Sequence, residues 1–300
     1  MKFHLLAISS SLLLGAGLSA IQPGNFFLGW LLFSLLFLLS FYVLRFTFFW
    51  TKANSSLTTL LALAFILRLA LGAGLYVGLP VGGHPNEQNQ AGYIFFDSFR
   101  RDAQAWELAQ SDAPILSAFN KNFYSDQYGG LLAFDAAAYR YLSPDAHRPL
   151  LPVFFGALVA ALGLAFLWKA AARQWDERVA LAAAWIYALY PESVLMGSAQ
   201  MREPFLMAFV AMAVWGFVVW RAERGADWKF ALLWLGLAFV GMLLVSPVVA
   251  LLTLIILAGW WWIQREHGRV SWMALAAAGL VFIASLYLLA WGLERGQPFG

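Results

Sequence analysis

Long apolar runs set the limits on what this chain can fold into. Nine segments are each mainly apolar, over roughly the 17 to 25 residues an α-helix needs to cross about 30 Å of hydrocarbon. They lie near His4 to Ile21, Phe26 to Trp50, Leu57 to Pro80, Leu150 to Ala172, Val179 to Tyr190 with its flanks, Pro204 to Trp220, Phe230 to Val245, Val248 to Ile263 and Val270 to Trp291. A bilayer core offers no water to backbone N–H and C=O groups, so such runs span as helices. The expectation is an all-α polytopic membrane protein of about nine transmembrane helices. Composition agrees, with 62% hydrophobic and 12% charged residues, against about 45 to 50% and about 25% in soluble domains.

One long polar stretch, residues 81–149, interrupts these runs and holds eight of the 16 acidic residues. Aqueous chemistry is therefore expected there. Sidedness follows from Lys and Arg, which accumulate in short cytoplasmic loops. With the N-terminus inside, eleven basic residues fall on the inner side, among them Lys52, Lys169 and Arg173, and seven on the outer side, five of them within the acidic loop. The reading is an integral protein of a bacterial-type inner or plasma membrane, its loop facing the periplasm or exterior. Trp168, Trp175, Trp220, Trp228 and Trp260 to Trp262 cluster at expected inner ends as an interfacial aromatic belt.

Residues 1–56 read as two N-terminal transmembrane helices. The first, with Lys2 before it and Leu18-Ser19-Ala20 at its end, is also signal-like. Either way Asn25 reaches the outside. The turn-like end from Gly292 to Gly300 suggests a chain truncated at its C-terminus. Ser246-Pro247 is expected to break two successive spans, because proline lacks a donor and starts helices well.

Several chemistries are excluded or disfavoured. The chain has no cysteine and four histidines, so disulfides and thiolate catalysis are ruled out. No metalloprotease, phosphate-loop or nucleophile-elbow motif occurs. Net charge is +3, but the cations are scattered among apolar runs, so a nucleic-acid partner is not expected.

If residues 95–110 are helical, Phe96, Phe99, Ala103 and Trp106 form an apolar stripe suited to the membrane interface. At about 100° per residue, Asp97 falls opposite that stripe, while Asp102 lies beside Phe99 and Trp106. A lone outward carboxylate suits a general base; the competing role is a helix N-cap. Asp126 and then Asp102 follow as second acids. A divalent metal between Asp97 and Asp126 fits oxygen-ligand chemistry, but no spacing demands one and no cofactor is required. Tyr124 and Tyr128, near Asp126, suit either sugar stacking or an interfacial anchor. Glu203 beside Pro204 suits a helix start or contact with an acceptor. Arg68 falls inside the third span, where an unpaired charge is costly; it either snorkels or makes a buried contact.

Residues 57 to 260 resemble the C-type membrane glycosyltransferases (GT-C), of the protein-mannosyltransferase and lipid-A-aminoarabinose-transferase kind. The likeness rests on Phe65-Ile66-Leu67-Arg68-Leu69, on Asp97 followed by Ala105, Leu108 and Ala109, and on Arg148-Pro149-Leu150-Leu151-Pro152. Trp185 to Pro191 and Gly236 to Pro247 follow the family order, with Ser246 at the family's Arg and Ser98 at its frequent second acid. The resemblance implies a transferase domain over residues 57–300, with interfacial helices in the 81–149 loop. It implies a polyprenyl-phosphate-linked sugar as donor, membrane lipids as surroundings, and inversion at the anomeric carbon. Asp97 would activate the acceptor, whose identity stays open, while Arg100, Arg101, Arg140, Arg148 or Arg202 would hold the lipid phosphate. A transporter or lipid-handling protein, and a non-catalytic scaffold, are the competing readings.

Overall fold

The computed structural model describes residues 2–53, 55–120, 128–222 and 227–265, and every regular element among them is helical. In order these are α1 (Lys2–Ala20), α2 (Phe26–Thr51), α3 (Ser55–Gly82), α4 (Glu87–Gln90), α5 (Phe96–Gln110), a 3₁₀ turn at Ile115–Phe119, α6 (Gly130–Leu142), α7 (Leu150–Gln174), α8 (Glu177–Leu189), α9 (Pro191–Gly197), α10 (Glu203–Ala222), α11 (Asp227–Val245) and α12 (Pro247–Arg265). Helices α1 to α11 belong to one compact unit, Met1–Val245, and α12 to a second, Ser246–Gly300.

Six of the described helices, α1, α2, α3, α7, α10 and α11, are long and apolar enough to cross a membrane, and α8 with α9 makes a seventh if the bent pair is one span. Nine were expected. The fifth expected span is instead two helices bent by 55°. Tyr190 is extended (φ −57°, ψ 118°) and Pro191 opens α9, as follows when proline has no N–H and pushes its predecessor out of helical backbone. The eighth is a shorter apolar helix, Pro247–Ile263, and the ninth, Val270 to Trp291, lies outside the described residues.

Helix ends follow local chemistry. The Asn25 carboxamide oxygen accepts from the N–H groups of Phe27 and Leu28 at 2.9 and 3.2 Å, starting α2. Asp176 starts α8 the same way, with two bonds of 2.8 Å. Each satisfies donors that a helix start leaves orphaned.

The centre of the larger unit is α7, packed against α2, α3, α8 and α10. Between apolar helices in lipid there is little hydrophobic gain, so close approach and dispersion drive association. Helix α7 accordingly carries Ala157, Ala160, Ala161, Gly163 and Ala165 on its buried side. A Cβ at Gly163 would stand 2.7 Å from the Ala208 backbone of α10. Phe154 of α7 meets Phe37 and Phe65 edge-on, with centroids 5.0 and 5.3 Å apart.

The break between α8 and α9 leaves carbonyls without helical partners, a serious cost inside a membrane. Arg68 of α3, wholly buried, answers it. Its guanidinium donates to the carbonyls of Tyr187 (3.0 Å) and Ala188 (3.3 Å), to Ser193 Oγ (2.8 Å) and to Ala64 O (3.1 Å). Its positive charge also faces the negative end of α8.

Candidate active site

At the end of the bundle where α1 meets α2, α3 ends and α7 begins, the described residues of the 81–149 stretch fold back over the helices. It is fastened by polar ties. The Arg148 side chain, 1% exposed, donates to Asp145 through both terminal nitrogens (2.7 and 2.8 Å), to Ser143 Oγ (2.6 Å) and to the carbonyl of Asn25 (3.1 Å). The Arg148 bonds hold the Asp145 carboxyl below the usual aspartate range. Gln22 Oε1 accepts from the Leu150 N–H (3.0 Å), and Gln200 Nε2 donates to the Pro149 carbonyl (2.8 Å). The α1–α2 turn, the start of α7 and the segment before α10 are thus tied together.

Within this cap one carboxylate gathers three donors. Asp102, on α5 and wholly buried, accepts from the hydroxyl of Tyr93 at Oδ2 and from that of Tyr139, on α6, at Oδ1. The Nε2 atom of His147 lies 2.5 Å from Oδ2. Burial and then the Asp102 charge push both phenols well above the usual tyrosine range, so each keeps its proton and donates. For Nε2 to donate as well it must carry the imidazole proton, leaving Nδ1 as the basic nitrogen.

Local folding aims these groups. Trp106, one turn beyond Asp102, stacks on the His147 ring with centroids 5.1 Å apart and planes at 25°. Tyr139 meets the same ring edge-on at 5.1 Å. The imidazole is thereby held on two sides, yet remains 31% exposed. Tyr93 is placed by Gly92, whose φ of +87° suits glycine, and where a Cβ would meet Tyr76 at 2.8 Å.

His147, Asp102 and Tyr93 line a cleft of ≈ 250 Å³, together with Pro23, Tyr76, Phe99, Ala103 and Pro149. The cleft joins the hydrogen-bonded His147–Asp102 pair to apolar and aromatic walls, the mixture expected of a small-molecule site. A smaller cavity beside it shares Tyr93 and Tyr76 and reaches Gln200.

The residues expected from sequence are distributed unevenly. Asp97 is exposed in the first turn of α5 and is not among the residues lining the cleft. The cap position of that helix is Phe95. Asp102 is at the centre of the site. Tyr124 and Asp126 lie outside the described residues. Tyr128 is half-buried, with the Arg202 guanidinium 5.8 Å from its ring centroid, and Glu203 Oε1 is 3.9 Å from Arg202 Nε.

Of the five candidate phosphate-binding arginines, Arg148 is committed to the ties above. Arg140 donates to the carbonyls of Leu108, Ala109 (3.1 Å), Ser111 (2.9 Å) and Ala113 (2.9 Å), closing the C-terminal end of α5. Arg101 is 4% exposed and donates to the Gln200 carbonyl at 2.6 Å. Arg100, over Phe96 at 5.5 Å, is exposed, and Arg202 is half-buried beside Glu203. Among the described residues no three His, Asp or Glu side chains converge as metal ligands would.

Tyr93, Tyr139 and His147 were not singled out in the sequence. The usable signal was Asp102 on the apolar side of an amphipathic helix, where an acid must find donors. No protein-family model, curated protein or solved structure matches the chain, which leaves the geometry of the cleft as the ground for a functional reading.

Proposed function

We propose that this protein is a membrane-embedded glycosyltransferase that moves a sugar from a polyprenyl-phosphate carrier to an acceptor at the outer membrane face. His147, held by Asp102, is the base in this reading. The observation that carries it is the buried carboxylate gripping a partly exposed imidazole (2.5 Å) in a cleft at the mouth of a helical bundle. The donor class rests on the sequence resemblance to the GT-C enzymes.

In the reaction, Nδ1 of His147 takes the proton from an acceptor hydroxyl or amine. The acceptor atom bonds to the anomeric carbon as the sugar–phosphate bond breaks, and that electron pair leaves with the polyprenyl phosphate. Asp102 keeps the imidazole in the required tautomer and stabilises the imidazolium formed. Exposed Arg100 and half-buried Arg202 are the cations that meet the phosphate. Gln200, two residues before Arg202, lines the small cavity beside Tyr93.

A second reading of the same reaction makes Asp97 the base. Its exposed position on α5 favours direct access to an acceptor from water. The transporter reading gains a broken span at α8 and α9, but Arg68 there is bonded to carbonyls and a serine of its own chain.

The test is release of polyprenyl phosphate from a polyprenyl-phosphate-linked sugar in membranes containing wild type, His147→Gln or Asp97→Asn. A loss of about 10² to 10⁴ confined to His147→Gln fits the proposal, that being the range for general-base catalysis. Loss confined to Asp97→Asn moves the base to Asp97. No release by wild type from any such donor ends the transferase reading.

A further inference from the structure

The opposite end of the helices carries a second feature. Helices α2 and α7 start beside the Asp102 cleft and end at Thr51 and Gln174. There Lys52, Lys169 and Arg173 line a pocket of ≈ 520 Å³ with Trp50, Trp168 and Trp215. Lys52 and Arg173 are exposed. Lys169 is half-buried, with Nζ donating to the Trp50 carbonyl (3.0 Å) and lying 4.5 Å from the Trp50 ring centroid.

Trp50 and Phe230 are also in the wall of a second cavity, of ≈ 330 Å³, that runs among α2, α7, α10 and α11. Its other walls include Phe46, Leu162, Phe166 and Met212, and the side is almost wholly apolar. A tail-sized apolar groove ending at a cluster of positive charge and tryptophans matches one kind of occupant. We infer that this is a binding site for an anionic phospholipid of the surrounding leaflet, with one acyl chain in the groove and the phosphate at Lys52, Lys169 and Arg173. Charge complementarity selects the headgroup, since basic pockets between membrane helices take anionic lipids. The tryptophans mark the interfacial depth at which a phosphate sits. This site does not depend on the transferase reading.

The experiment is native mass spectrometry of the full-length protein, with phosphatidylglycerol, phosphatidylcholine and polyprenyl phosphate offered in equal amounts. Wild type is expected to retain phosphatidylglycerol over phosphatidylcholine. Lys52→Gln with Arg173→Gln, which leaves the Lys169–Trp50 tie in place, is expected to lower that retention about tenfold. Val159→Trp, filling the groove without touching a charge, should lower it as well while leaving the cations intact. Equal retention by wild type and both variants overturns the inference. Preferential retention of polyprenyl phosphate overturns the phospholipid assignment and gives the groove to a single-chain carrier lipid.

Discussion

His147 and Asp102 form a pair of unequal exposure: the imidazole is 31% exposed and the carboxylate beside it not at all. The outer partner can therefore meet a substrate, while the inner one meets only protein groups. Removing either partner should have a different consequence.

Asp102→Asn should behave as a folding defect. Two tyrosine hydroxyls and Nε2 of His147 converge on this carboxylate, and an amide can accept at only one of its two ends. The expected loss is about 3 kcal/mol, the scale for breaking a buried charged arrangement by removing one side. Thermal unfolding in detergent, compared with wild type, checks it.

His147→Gln should do the reverse, leaving the midpoint of unfolding within a few degrees of wild type. The imidazole is partly exposed and packed on Trp106 and Tyr139, so its loss leaves no large void. Turnover in the donor-release assay should fall with little change in KM. A fall in thermal stability as large as that of Asp102→Asn would make His147 a structural residue.

Acid should loosen the cap through Asp145. Its folded-state pKa lies below the ordinary aspartate value because of Arg148. A depressed carboxyl contributes stability that is fully present above the unfolded value, about 3.9, and is lost as pH falls through the folded one. Wild type should therefore lose its stability advantage over Asp145→Asn below about pH 4 and keep it at neutral pH. Melting curves of both proteins across pH 3 to 7 measure this.

Arg68→Lys should not rescue the loss of Arg68. One ammonium cannot reach Tyr187 O, Ala188 O, Ser193 Oγ and Ala64 O together, because the guanidinium presents a planar fork and the ammonium a point. Both Arg68→Lys and Arg68→Met should yield protein that unfolds at lower temperature, measured by the fraction remaining monodisperse after heating. Unchanged behaviour of Arg68→Lys would mean that the break at Tyr190 needs no such cap.

The long helices were legible because a span needs only length and apolarity. The reading of Phe26 to Trp50 meets a helix at Phe26–Thr51, and that of Leu150 to Ala172 one at Leu150–Gln174. The bend at Pro191 was hidden because hydropathy is blind to direction, although the proline itself was in view. Arg140 and Arg148 read as phosphate ligands since a sequence gives charge and side but not appetite. The carbonyls at the end of α5 and the Asp145 carboxylate claim them first. Asp102 shares a face of α5 with Phe99 and Trp106 by helical spacing, yet its donors stand 9, 37 and 45 positions away. No local pattern connects them; only the fold does.

The proposed function requires the sugar of a lipid-linked donor to sit in the cleft at His147. Photo-crosslinking reads this directly, using a polyprenyl-phosphate-linked sugar with a diazirine on the sugar ring and peptide mapping of the adducts. Adducts are expected at cleft residues such as Tyr76, Phe99 or Ala103, suppressed by unlabelled donor. Adducts confined to other surfaces, or labelling that unlabelled donor does not suppress, would contradict it.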